Sequence, residues 1–224
     1  MVEVIVFSEG QTEEQFIKRV VAPALRHLSI FIKPQLLTTS RDSRGGDVSL
    51  SRLKINARNT LRQQPRAILT TLLDLYGLNT DFPAYAQAMQ QQDVYQRCDM
   101  LQSALHMEIV DYVECRPERF IAHIQPYEFE GLLFSDVTAL ANTEPQWSRY
   151  LPQLQQVRES FPTPEHINGS YETKPSKRLD DILTPNYHKT RHGPLAAEHV
   201  TLARMEYECV HFAAWLEKLR SLKP

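Results

Sequence analysis

The sequence predicts an α/β fold, a mainly parallel central sheet flanked by helices, with a helical C-terminal extension. Two observations predict it. Short β-branched apolar runs alternate with longer amphipathic stretches through residues 1–135, the strand–helix alternation that a parallel sheet requires. From Asp136 onward helical spacing takes over from the strand pattern.

Residues 2–7, Val-Glu-Val-Ile-Val-Phe, read as a buried first strand ending at Ser8-Glu9-Gly10. Thr12 is placed to cap a helix with Glu13, Glu14 and Gln15 in its first turn; Phe16, Ile17, Val20, Val21, Ala24, Leu25 and Leu28 then recur at helical spacing. Pro23 is expected to kink it. A second strand over 30–38 leads to a polar stretch, 40–47, whose Gly45-Gly46 pair marks a turn, and a helix runs from there to about Gln63. After Pro65, Ala67-Ile-Leu-Thr-Thr-Leu-Leu-Asp74 is the best continuous apolar run and hence a central strand. Gly77 opens a loop, residues 83 to about 112 read as helix, and 120–124 as another buried strand. The remaining third, 136–224, has a Pro-rich polar middle and a final helix with Met205, Cys209, Phe212, Ala213, Leu216 and Leu219 on one side.

A chain of 224 residues, 42% hydrophobic, is near the upper size for one core, so the expectation is a single domain over 1–224. A net charge of −2 excludes the global basicity that would by itself announce a nucleic-acid binder, so any such contact is local. Cys98, Cys115 and Cys209 are odd in number and widely spaced, which argues against disulfides and zinc knuckles and for a reducing compartment. With no leader pattern and no run of about 18 apolar residues, the expected location is cytoplasmic, with no membrane contact. The terminal helix's apolar side suits its own sheet or a second copy equally, so a homo-oligomer is one expectation.

In an open parallel sheet, ligands bind beyond the carboxyl ends of the strands. Three predicted strands lead into acids there: Glu9, Asp74, and Glu128 with Glu130 in Gln-Pro-Tyr-Glu-Phe-Glu-Gly. Hard oxygen ligands gathered at one sheet edge suit magnesium or manganese, which polarise a phosphoryl oxygen. Glu9, Asp74 and Glu128 are therefore the candidate catalytic residues, and these with Glu130 the candidate metal ligands. If 127–134 were helical, Glu128 and Glu130 would point roughly 200° apart, which favours Glu128. Glu13 and Glu14 read as acids complementing a helix dipole.

Phe7-Ser-Glu-Gly-Gln-Thr-Glu-Glu-Gln-Phe resembles the opening of Toprim domains of the overcoming-lysogenisation-defect (OLD) type. Thr71-Leu-Leu-Asp-Leu-Tyr-Gly, Tyr127-Glu-Phe-Glu-Gly-Leu-Leu-Phe-Ser-Asp and Pro175-Ser-Lys-Arg-Leu resemble segments of an uncharacterised bacterial Toprim-like family, DUF4276. The resemblance spans nearly the whole chain. It implies a Rossmann-like Toprim fold, a first-strand glutamate (Glu9) as general acid or base, and an Asp-x-Asp pair binding magnesium, of which Asp74 is the first member. Tyr76 replaces the second; Glu128, Glu130 or Asp81 would have to supply the missing ligand. OLD-type modules work with ABC-like or AAA-type ATPases, often in phage defence, so the resemblance also implies an ATPase partner. Three readings stand: a metal-dependent nuclease, a decayed, non-catalytic partner subunit, and a small-molecule phosphohydrolase.

Between Ser40 and Arg66 lie seven Lys or Arg against two Asp. Lys54, Arg58 and Arg62 recur every fourth residue as one stripe, suited to a phosphate backbone or simply to solvent. Arg44, on the Gly-containing loop, has freedom to close over a substrate. Lys174, Lys177 and Arg178 flank Pro175-Ser176, a helix start suited to a phosphate. Arg44, Lys54, Lys177 and Arg178 are thus the candidate substrate contacts. His123 reads as a hydrogen-bonded core residue, and His188 and His192 as part of a polar loop. No Gly-x-Ser-x-Gly, Walker loop or Gly-x-Gly-x-x-Gly occurs.

Overall fold

The computed structural model describes residues 1–37, 48–168 and 170–223. Four strand positions build a parallel sheet in the order β2-β1-β3-β4: β1 (Val2–Ser8), β2 (Ile30–Leu36), β3 (Ile68–Asp74) and β4 (Phe120–Ile121). A short β5 (Ile124–Gln125) continues the β4 edge beside β3, pairing Asp74 with Gln125. The strand read over 120–124 is thus broken. His123 leaves the ladder because its amide donates to Thr71 Oγ1 at 2.8 Å, while Thr71 Oγ1 donates to the His123 carbonyl. His123 is a buried core residue, as read.

The period of two along β1 sorts its side chains between two cores. Val4 and Val6 pack with Phe16, Phe212 and Trp147 on one face; Ile5 and Phe7 pack with Leu53, Leu69 and Leu105 on the other. Burial on both faces explains why β1 and β3 read as continuous apolar runs. One face is covered by α3 (Leu50–Gln63), the single turn α4 (Tyr85–Ala88) and α5 (Val94–Val113). The long helix read over 83–112 is therefore two, parted at 89–93, where Asp93 caps α5 by accepting from the Gln96 amide.

The other face receives α1 (Gln11–Phe16), α2 (Ala22–Leu25), α6 (Glu130–Leu133), α7 (Val137–Ala141), α8 (Leu151–Glu159), α9 (Pro175–Ile182), α10 (Lys189–Val200), α11 (Leu202–Glu208) and α12 (Val210–Arg220). Trp215 Nε1 donates to Thr70 Oγ1 at 2.9 Å, fixing α12 to β3. Residues 136–224 therefore supply one layer of the core. No helix among the described residues is long and apolar enough to cross a membrane.

Three local readings change. Gly10, not Thr12, caps α1: its amide donates to Glu13 Oε2 at 3.0 Å, and Thr12 is buried inside the first turn. Pro23 makes no simple kink, because a π turn over Ile17–Val21 precedes it, with the Ala22 amide bonded to the Ile17 carbonyl; widening that turn releases the i−4 bond that proline cannot make. His188 and His192 lie at the start of α10 and not in a loop. Gly193-Pro194 disguises that helix in the sequence, yet glycine is what lets it close on α1: a Cβ at 193 would stand 2.8 Å from Thr12 Cγ2 and 2.9 Å from the Tyr187 hydroxyl.

Candidate active site

The ends of β1 and β3 bring two acids close together. Ser8 pairs with Leu72, so Glu9 leaves β1 beside the last residues of β3, and Glu9 Oε1 accepts from the Asp74 amide at 2.8 Å. Gly77 makes room for that carboxylate, since a Cβ there would fall 2.1 Å from Glu9 Oε2. Asp74 Oδ1 in turn accepts from the Phe129 amide at 2.8 Å, tying β3 to the segment that carries the other two acids. Burial pushes the Asp74 carboxyl well above its ordinary range, and Glu9, Glu13 and Glu130 push it further.

Glu128 and Glu130 are both buried, and both turn toward one lysine. The helix begins only at Glu130, so the roughly 200° separation expected of a continuous helix does not arise. Lys189 Nζ, at the first position of α10, lies 3.4 Å from Glu128 Oε1 and 3.2 Å from Glu130 Oε2. Lys174 Nζ is 2.9 Å from Glu128 Oε1, and the Ser176 amide donates to Glu128 Oε2 at 3.0 Å. Burial opposes ionisation of Glu128, but Lys189, Ser176 and Lys174 outweigh it and hold its pKa below the usual value. Glu130 has less help. Burial, reinforced by Glu128 and Glu13 against the pull of Lys189, raises it to about 7. Its Oε1 accepts a long bond, 3.4 Å, from the Tyr187 hydroxyl. Glu13, beside them, is also raised by burial. Lys189 pays desolvation, yet Glu130, Glu128 and Asp74 hold its ammonium firmly protonated.

Glu9, Glu13, Asp74, Glu128 and Glu130 thus share one neighbourhood with Lys174 and Lys189, in which Glu128 and Glu130 are buried, the others are partly so and Lys189 reaches solvent. Carboxylates outnumber ammonium groups, and Asp74, Glu13 and Glu130 are raised first by burial and then by the neighbouring carboxylates. That donor chemistry fits a hard divalent cation. Among the described residues no three His, Cys, Asp or Glu side chains already stand at metal-holding spacing. Magnesium does not require that, because it commonly takes one or two carboxylates and completes its shell with waters and substrate phosphates. Glu9 and Asp74, joined through the Asp74 amide, are the pair that could hold it.

Lys54, Lys177 and Arg178, named from sequence, do not assemble here. Lys54 pairs with Glu108 and lies 4.5 Å from the Tyr112 ring centroid, so the stripe of α3 leans on α5. Lys177 pairs with Asp181 one turn along α9, and Arg178 donates to the Thr173 carbonyl and lies over the Phe161 ring. Arg44 and the Gly45-Gly46 turn fall outside the described residues. Asp81 accepts from the Leu50 amide at 3.2 Å, at the start of α3, where Ser49 is the N-cap. Tyr76 donates its hydroxyl to Asn168 Oδ1 at 2.7 Å. Among the described residues the site's cations are instead Lys174, visible in the sequence as a neighbour of Pro175, and Lys189, hidden in a segment that read as loop. Gly77 carried its signal in the Asp-Leu-Tyr-Gly run, where a glycine follows the acid within one turn.

Fold and site together define a parallel α/β domain with a buried carboxylate centre at the carboxyl ends of its strands. The chain belongs to the family described as a domain of unknown function, DUF4276, whose model matches residues 8–220. No curated protein and no solved structure matches it.

Proposed function

We propose that this protein is a Toprim-like, magnesium- or manganese-dependent phosphodiesterase acting on nucleic acid. The observation that carries the reading is the Glu9–Asp74 pair, joined through a backbone amide at the ends of adjacent parallel strands. A bound divalent ion would supply charge stabilisation at the phosphoryl oxygens and an activated water. Asp74, with Glu9 at its side, would hold it. Glu9 would move the proton as general acid or base. Glu130, raised to about 7, would exchange a proton near neutrality. Glu128 orients Lys174 and Lys189, whose ammonium groups would meet the non-bridging oxygens of the phosphate. By resemblance to OLD-type modules, the setting is cytoplasmic and the partner an ABC- or AAA-type ATPase, in phage defence. The free thiols of Cys98, Cys115 and Cys209 accord with a reducing compartment.

A second reading, a non-catalytic partner subunit, is favoured by one observation: Tyr76 stands where Toprim enzymes place the second aspartate, and its hydroxyl is engaged by Asn168. Calorimetry with magnesium on the wild type and on Asp74→Ala, followed by cleavage assays of wild type and Glu9→Gln, separates the two. Metal binding lost in Asp74→Ala, with cleavage lost at least about a hundredfold in Glu9→Gln, is the expected result. Undetectable metal binding with oligonucleotide present would leave the partner reading.

A further inference from the structure

Three tyrosines gather along one side of the carboxylate centre. Tyr76 lies two residues past Asp74, and Tyr127 immediately precedes Glu128. The Tyr76 amide donates to the Tyr127 carbonyl at 3.1 Å, and their ring centroids are 5.5 Å apart. Tyr127 holds a left-handed φ of 55°, an uncommon conformation for an aromatic residue, and its ring packs on the α5 side of the sheet against Tyr76. Tyr171 meets Tyr76 edge-on at 6.4 Å. It is 66% exposed, unlike the other two, which are partly buried. Lys174 Nζ lies 4.1 Å from the Tyr171 centroid while also pairing with Glu128, so one lysine links the exposed ring to the acids.

An exposed aromatic held by an edge contact and a cation, beside a phosphate-handling centre, is the arrangement on which an unpaired base stacks. Bases in a duplex are already stacked on one another and offer no free face. Tyr76 then has a use that an aspartate could not serve: its ring buttresses Tyr171, and its bond to Asn168 fixes the ring. We infer that the substrate is a single-stranded nucleic acid, bound with the base beside the scissile phosphate stacked on Tyr171. This deepens, and rests on, the phosphodiesterase reading.

The test is a binding measurement. A single strand carrying 2-aminopurine, a duplex of the same sequence and the full-length protein are compared by fluorescence quenching and anisotropy in magnesium. The single strand is expected to bind at least tenfold more tightly than the duplex and to be quenched on binding. Tyr171→Ala should lose the quenching and weaken binding roughly five- to 150-fold, whereas Tyr171→Trp retains both. Equal affinity for duplex, an unchanged Tyr171→Ala, or no oligonucleotide binding at all would overturn the inference. Because the readout is not turnover, Tyr171-dependent binding without cleavage would reject hydrolysis and keep the stack. Cleavage indifferent to Tyr171 would do the reverse.

Discussion

Glu130 and Glu128 sit two residues apart, share a lysine and are driven in opposite directions, which gives the site a distinctive dependence on pH. Glu130 is raised from 4.5 to about 7, so in the absence of metal its contribution to folding is full below about 4.5 and is lost as pH rises through 7. Asp74, raised for the same reason, has the same sign. Glu128 is lowered, so its contribution is present above its unfolded value and is lost only as pH falls through its folded one. The melting temperature of the metal-free protein should therefore decline between pH 5 and 8, and Glu130→Gln should flatten that decline; a slope unchanged by the substitution would count against it. Gly77 yields a second prediction. A Cβ there collides with the flexible end of Glu9 and not with backbone, so Gly77→Ala should shift the carboxylate at a cost of about 1 kcal/mol of stability while cleavage falls at least about tenfold.

At the scale of elements, what the sequence made legible was whatever periodicity and a single core face determine. β1, β3 and α3 read correctly because burial on both faces or on one stripe writes itself into consecutive residues. Three features did not. The break at His123 depends on a threonine hydroxyl of the neighbouring strand, the π turn on a proline's missing amide, and α10 on a contact between Gly193 and α1. The first and third are settled by partners distant in sequence, the second by the nearby Pro23. The start of α12 shows how strong such a partner can be. Glu165, 1% exposed, accepts from the His211 and Phe212 amides at 3.0 Å each and from the Tyr95 hydroxyl at 3.0 Å, capping a helix more than forty residues away. Its removal in Glu165→Ala leaves those donors buried, so urea unfolding should show a loss of about 2–4 kcal/mol with α12 the first region to exchange its amides. A loss under about 0.5 kcal/mol would mean that the cap is dispensable.

For the molecule as a whole, the strand-end acids were legible because a parallel sheet sends every loop of one edge to the same place. Their counter-ions were not, because charge balance is a property of the assembled site: Lys54 and Lys177 are spent on local partners, while Lys189 arrives from a helix that sequence alone reads as loop. The same imbalance couples metal to proton. Where protons occupy Asp74 and Glu130, a divalent ion must displace them, so magnesium should stabilise the protein little at pH 5 and strongly at pH 8. At a hundredfold excess over its dissociation constant the gain is about 2.7 kcal/mol, which for a chain of this size is roughly 5–10 °C in melting temperature. Asp74→Ala should abolish the increment at both pH values. An increment equal at pH 5 and 8, or one that survives in Asp74→Ala, would place the ion somewhere other than the ends of β1 and β3.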